Sequence, residues 1–271
     1  MVRSLWTAAS GMIAQQTNVD TIANNLSNVN TTGYKTEVAE FKTLLYQNLQ
    51  TRTTTANGAN KPIGAQVGLG VRNSAITSIF RQGSLYENSS KSAFAIQGDG
   101  FFAVRGEDGE TCYTRNGNFI WAIDGDNLTL STTDGHYVLD SNGNKISFNK
   151  DYVTSKITIT GDGVISYPDE NNNAQSLGVS IGLYQFQNPS GLEKLEGSLY
   201  KASDASGAAL NEATNDELIK SSVAQGYLEG SNVQVADEMV NLIVAQRAYE
   251  MNSKAIQTTD DMMQQANNLR R

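Results

Sequence analysis

Apolar residues stand seven positions apart at Leu5, Met12, Val19 and Leu26, with Ala8, Ile22 and Val29 on the line three residues later. This heptad spacing predicts a helix from about Ser4 to about Asn28, and Gly33 offers the left-handed conformation that commonly closes one. Val235, Leu242, Tyr249, Ile256 and Met263 repeat the spacing at the other end, and neither Gly nor Pro interrupts residues 231–268. A second helix of about 38 residues, ~57 Å long, is predicted there. Ser231 and Asn232 are expected to cap its start, with Asp237 and Glu238 favourable to the helix dipole in the early turns. The second line of the seam is polar: Gln15 in the first helix, and Gln246, Ser253 and Asp260 after Met239 in the second. Amide and hydroxyl groups in a seam specify register and partner at a cost in stability. Such a pair is expected to be marginal alone and ordered when neighbouring molecules complete its hydrogen bonds. An ordinary antiparallel helix pair capping a globular domain is the alternative.

Between the helices the pattern changes to short alternating segments. Asp99-Gly100, Asp108-Gly109, Asn116-Gly117, Asp124-Gly125, Asp134-Gly135, Asn142-Gly143 and Asp162-Gly163 punctuate it. Such spacing predicts hairpins of an all-β domain. Residues 215–225 fit either a short helix or a strand, while residues 50–70, rich in Thr, Gly, Ala and Asn, read as an extended connector. The expected fold is α+β: terminal helices (1–33 and 231–271) pairing as a coiled coil, an extended connector (34–92) and a central all-β domain (93–230).

Composition narrows the chemistry. At about 150 residues per domain, 271 residues suggest two domains. A net charge of -8 and a pI near 4.7 give no footprint for nucleic acid or anionic lipid. One cysteine, Cys112, and one histidine, His136, exclude an internal disulfide and a Cys/His zinc site. Charged residues are only 18%, a weakly charged surface suited to close self-packing. Thr7, Ser10 and Gly11 interrupt the apolar start, so no cleaved signal is expected. The longest apolar run of the second helix is residues 242–245, far short of the ~20 needed for membrane insertion.

Several motifs fail on context. Residues 178–182 match a nucleophile elbow around Ser180, but the residues that follow alternate like a strand. Residues 98–103 resemble a dinucleotide fingerprint, yet Phe101 begins a strand pattern instead of a helix. Asp124-Gly125-Asp126 opens like a calcium loop and lacks both the glycine at its sixth position and the carboxylate at its twelfth. Cys112 could pair only with His136 as a nucleophile and is read as a half-buried strand residue; Phe101, Phe102 and Trp121 are read as core. No catalytic residue, cofactor or metal is expected.

The terminal segments also carry a family resemblance. Residues 4–12 (SLWTAASGM), 15–20 (QQTNVD) and 22–35 (IANNLSNVNTTGYK) resemble the N-terminal signature of bacterial flagellar rod and hook proteins. Residues 229–233 (EGSNV), 236–240 (ADEMV), 246–256 (QRAYEMNSKAI) and 259–260 (TD) resemble the other end of the same family. Residues 45–47, 68–72, 82–85, 98–102 and 113–117 extend the likeness toward distal rod members, weakest over 123–168; proximal rod members share both ends. The 50–70 connector favours the distal rod, since distal rod members are similar in having an extended stretch there that stiffens subunit contacts.

The resemblance implies a structural subunit of the periplasmic rod of the basal body, exported without a cleaved signal through the flagellar export apparatus. Its implied partners are further copies in a helical homo-oligomer, proximal rod proteins, the hook protein and the surrounding rings. The expected inner seam sets Leu5, Met12, Val19 and Leu26 against Leu242, Tyr249, Ile256 and Met263. Asn24, Asn25 and Gln246 are expected as register-setting polar contacts. A secreted cell-wall hydrolase and a coiled-coil scaffold of fixed size are the competing classes.

Overall fold

The computed structural model describes residues 2–50, 65–106, 109–150, 152–169, 173–215 and 217–269. The chain forms two compact units. One contains α1 (Val2–Ser27), the strands lying between residues 37 and 77, and α2 (Val235–Asn268). The other is formed by residues 28–36 and 78–233.

In the helical unit α1 and α2 run antiparallel with contacts at heptad steps. Ser4 lies opposite Thr259 with hydroxyls 3.5 Å apart, Gly11 lies against Asn252, and Asn25 hydrogen-bonds the carboxylate of Glu238. Small and polar residues therefore line the contact, including buried Ala8 and Ala245. A β-carbon on Gly11 would fall 2.8 Å from the Asn252 amide, so glycine there permits the close approach. Alongside, Glu37–Thr43 pairs with Val71–Ser78, and Tyr46–Gln50 pairs antiparallel with Ala65–Gly68. The expected connector at 34–92 is thus partly stranded; the middle of its 50–70 stretch, residues 51–64, lies outside the described residues.

α2 begins four residues later than Ser231. Its N-cap position is Gln234, with no side-chain cap, so the expected capping by Ser231 and Asn232 is corrected. The Ser231 hydroxyl accepts instead from the Val233 N–H, and Asn232 is engaged in the β unit.

That unit is built around an antiparallel six-stranded sheet in the order Glu193–Lys194, Leu199–Lys201, Thr111–Thr114, Phe101–Arg105, Leu183–Gln185, Leu210–Asn211. The unit also contains two three-stranded sheets, Phe119–Asp124/Asn127–Thr132/Ser147–Asn149 and Thr158–Ile159/Val164–Pro168/Ala174–Ser180. The strand Phe101–Arg105 is buried on both faces: Phe102 and Val104 enter one apolar cluster with Phe94, Phe119 and Leu130, while Phe101 and Ala103 enter another with Tyr113, Leu139 and Phe186. Burial on both sides explains the unbroken Phe-Phe-Ala-Val run, since successive side chains alternate faces.

Four of the seven turn dipeptides close hairpin-like returns, at 124–125, 134–135, 142–143 and 162–163; Asp108 of the 108–109 pair lies outside the described residues. Asp99-Gly100 and Asn116-Gly117 instead connect strands of different sheets. Residues 222–225, left open between helix and strand, form a strand on Phe94–Gln97.

Tyr113 packs edge-on against Phe186 at 4.8 Å between ring centroids, and burial pushes its phenol up to about 12, with Tyr184 and Cys112 adding to the shift. A raised phenol stabilises the fold below its ordinary value of 10.0, and that contribution is lost as pH climbs through about 12. Chemical denaturation at stepped pH is expected to show the β unit weakening across this window, and Tyr113→Phe is expected to flatten the slope.

Candidate functional site

The residues expected to form the seam fall on two kinds of position. Leu5, Met12, Val19, Leu26, Leu242, Ile256 and Met263 are half-buried along the flanks of the small-residue contact, while Tyr249 and Gln246 are exposed. Asn24 is exposed and donates to the Glu37 carboxylate at 3.4 Å. Asn25 is 1% exposed: its amide donates to the Glu37 carbonyl and accepts from the Glu37 N–H, both at 2.8 Å, like one rung of a β-ladder. The same amide reaches Glu238, so Asn25 joins both helices and a strand within the chain. On the outer surfaces Trp6, Ile13, Val240, Ile243, Val244 and Met251 are each more than half exposed.

A second constellation lies in the β unit, where the chain passes to and from the helical unit. Lys35 donates to the Glu229 carboxylate at 2.6 Å and to the Arg81 carbonyl at 2.9 Å. The other Glu229 oxygen faces Arg115 Nη1 across 3.7 Å, and all three side chains are at most 1% exposed. The Gly83 N–H donates to Glu229 at 2.9 Å, and Arg115 Nη2 donates to the Gly98 carbonyl at 2.7 Å. Asn232 completes the arrangement by accepting from the backbone N–H and hydroxyl of Thr36, both at 2.7 Å, while donating to the carbonyls of Ile79 and Arg81.

Glycines allow these segments to touch. Gly33 has φ +71° and its N–H donates to the Glu229 carbonyl at 2.8 Å; a β-carbon there would fall 2.7 Å from the Arg115 backbone. One on Gly83 would strike the Gly230 carbonyl. Burial lowers the pKa of both Lys35 and Arg115, and Glu229 opposes the shift in each. Arg115 repels Lys35 as well, whereas Asp99 favours the charged form of both.

Lys35, Arg115 and Glu229 all fall inside runs that carry the family resemblance, yet nothing in spacing links positions 194 residues apart. The only local signal is a charged residue within two positions of a glycine and an aromatic residue in each run.

The motifs set aside take ordinary structural places. Ser180 ends a strand and donates to the Ser141 hydroxyl at 2.9 Å; Phe101 starts a strand; Asp124 and Asp126 flank a hairpin turn and pair with Lys145 and Lys150. Cys112, buried at 4% exposure, and His136 line one cavity of about 530 Å³ with Glu110, Asp134, Glu196 and Lys201. Lys201 is ion-paired to Glu110 there.

Burial raises the Glu238 carboxyl and Asp237 adds to the shift, against the hydrogen bond from Asn25. A carboxyl raised in the folded state contributes stability at acid pH and loses it as pH rises through the raised value. Glu238→Gln is therefore expected to raise the thermal midpoint of the helical signal at neutral pH, with the gain disappearing below the ordinary glutamate range.

Three family profiles match segments of the chain: Flagella basal body rod protein over residues 5–35, Flagellar hook protein FlgE/F/G D1 domain over 95–167, and Flagellar basal body rod FlgEFG protein C-terminal over 224–269. Among solved structures, the flagellar hook protein FlgE2 of Helicobacter pylori overlaps 62% of this chain and 47% of its own length, at 16% identity and a TM-score of 0.24. This chain is 46% identical to the flagellar basal-body rod protein FlgG of Borreliella burgdorferi, covering 100% of both chains. It is 43% identical to FlgG of Agrobacterium fabrum over 96% of this chain and 97% of that one, and 39% identical to FlgG of Buchnera aphidicola from Acyrthosiphon pisum over 99% and 100%. With helices at both ends, strands between them and relatives matching from end to end, the chain belongs to the flagellar basal-body rod protein family.

Proposed function

We propose that this chain is a distal-rod subunit whose work is mechanical: many copies stack helically, and the resulting shaft passes torque to the hook. The observation that carries the reading is the outward apolar surface of α1 and α2, where Trp6, Ile13, Val240, Ile243, Val244 and Met251 are available for burial. Exposed apolar side chains recurring along a helix in this way mark an interaction site. A monomer has little to gain from such side chains in water, whereas helices from neighbouring copies cover them in a head-to-tail, non-closing assembly. The half-buried flanks, Leu5 to Leu26 and Leu242 to Met263, then become a coiled-coil seam shared between copies, with Asn24 and Gln246 as its exposed polar rungs.

The antiparallel pair of Tyr46–Gln50 and Ala65–Gly68 supports a contact role for the connector, because Leu45, Tyr46 and Leu49 are all more than half exposed. In this reading the rod lies in the periplasmic part of the basal body. Its neighbours are other copies, proximal rod proteins, the hook protein, the surrounding rings and, during delivery, the export apparatus. Nothing in the role requires a reacting group.

Leu26→Asp and Ile256→Asp place a charge on the flank that neighbouring helices would bury. Each is expected to abolish filament formation in electron micrographs and swimming in cells, with the thermal transition of the β unit retained. Motile cells carrying either variant would sink the reading.

A further inference from the structure

Residues 36 and 37, 77 and 78, and 233 and 234 are three of the places where the chain crosses from one compact unit to the other. Within the β unit, the residues beside these crossings are bonded to one another. Asn232 holds Thr36, Ile79 and Arg81, while Lys35 holds Arg81 and Glu229. Arg115, from the middle of the β unit, faces the same carboxylate.

We infer that Lys35, Arg115 and Glu229 form an ionic latch that makes these three roots dock on the β unit together or not at all, with Glu229 as its positioning residue. The reason lies in the charge count. Two buried cations share one carboxylate, one oxygen of which serves Lys35 and the Gly83 N–H while the other faces Arg115. Arg115 Nε and Nη1 and the second Glu229 oxygen have no hydrogen-bond partner among the described residues, so Coulomb attraction between them replaces hydrogen bonding. Withdrawing residue 35 or 229 therefore leaves buried charge unbalanced, and withdrawing residues 79–84 takes the Arg81 carbonyl from Lys35 and the Gly83 N–H from Glu229, so two buried charges lose partners, a larger penalty than a lost hydrogen bond between neutral groups.

Separate anchors would behave differently. Each segment would then open with its own free energy, as loops at a domain edge commonly do. Coupling through a shared carboxylate removes that independence. The inference concerns the isolated chain and does not rest on assembly into a rod, so failure of filament formation leaves it standing.

Hydrogen exchange on the full-length monomer tests it. Glu229→Gln keeps the shape and removes the charge; it is expected to speed exchange about a hundredfold or more in residues 28–36, 79–84 and 228–233 together. Residues 101–105, paired with 111–114, serve as the internal control and are expected to stay protected. Lys35→Met is expected to loosen 228–233 as well as its own segment, and the double variant to exchange less than the product of the single effects. Should Glu229→Gln fail to fold, Lys35→Met decides the matter, read at residues 228–233, which Lys35 meets through the Glu229 carboxylate; loosening there together with 28–36 and 79–84 supports the latch. Exchange confined to the segment that carries each substitution, or multiplicative effects in the double variant, overturns it.

Discussion

A single buried carboxylate, Glu229, stands between Lys35 and Arg115, and the arrangement of the β unit's edge follows from keeping that carboxylate supplied. Desolvating three charges is unfavourable unless each finds partners in good geometry. Gly33 and Gly83 lack side chains where the segments must come within contact, so the backbone supplies donors and acceptors that a bulkier residue would push away. The Tyr227–Glu229 strand on Leu85–Glu87 then delivers the carboxylate in register. Charge, glycine placement and strand pairing thus point to one arrangement, the agreement across levels expected of a foldable sequence.

The helical unit follows a different logic. Its inner contact is made of Ser4, Ala8, Gly11, Asn25, Glu238, Ala245, Asn252 and Thr259, small or polar groups that bury little apolar area. Close approach and hydrogen bonding specify register there; Ile22 is buried, while most of the other large apolar residues of the two helices are half-buried or exposed. Such a pair is specific without being strongly cohesive. This combination suits an element whose remaining apolar surface is covered by copies of itself.

Both helices, the β texture and most turns are legible in the primary structure because each rests on local periodicity: seven-residue spacing at the ends, alternation and Asp/Asn-Gly pairs between. What escapes is non-local. Heptad counting finds the large apolar line Leu5, Met12, Val19, Leu26, yet the intramolecular contact runs one position away through Ser4 and Gly11, because glycine and serine register weakly on any hydrophobic scale. Asn232 reads as a helix cap from its position, whereas its amide is committed to Thr36, 196 residues earlier. Lys35, Arg115 and Glu229 carry no signal of their mutual contact, for ion pairing leaves no period behind.

The pairing of Lys35 with Glu229 spans 194 residues, and that separation has a consequence for synthesis. A chain emerging from its N-terminus exposes Lys35 early and Arg115 midway, but their shared counter-charge arrives only when most of the polypeptide is out. Closing so large a loop is entropically gradual, yet its enthalpic reward comes all at once at the end. The edge of the β unit can therefore close only once Glu229 is present, whereas the hairpins pairing 101–105 with 111–114 and 119–124 with 127–132 need nothing beyond their own residues.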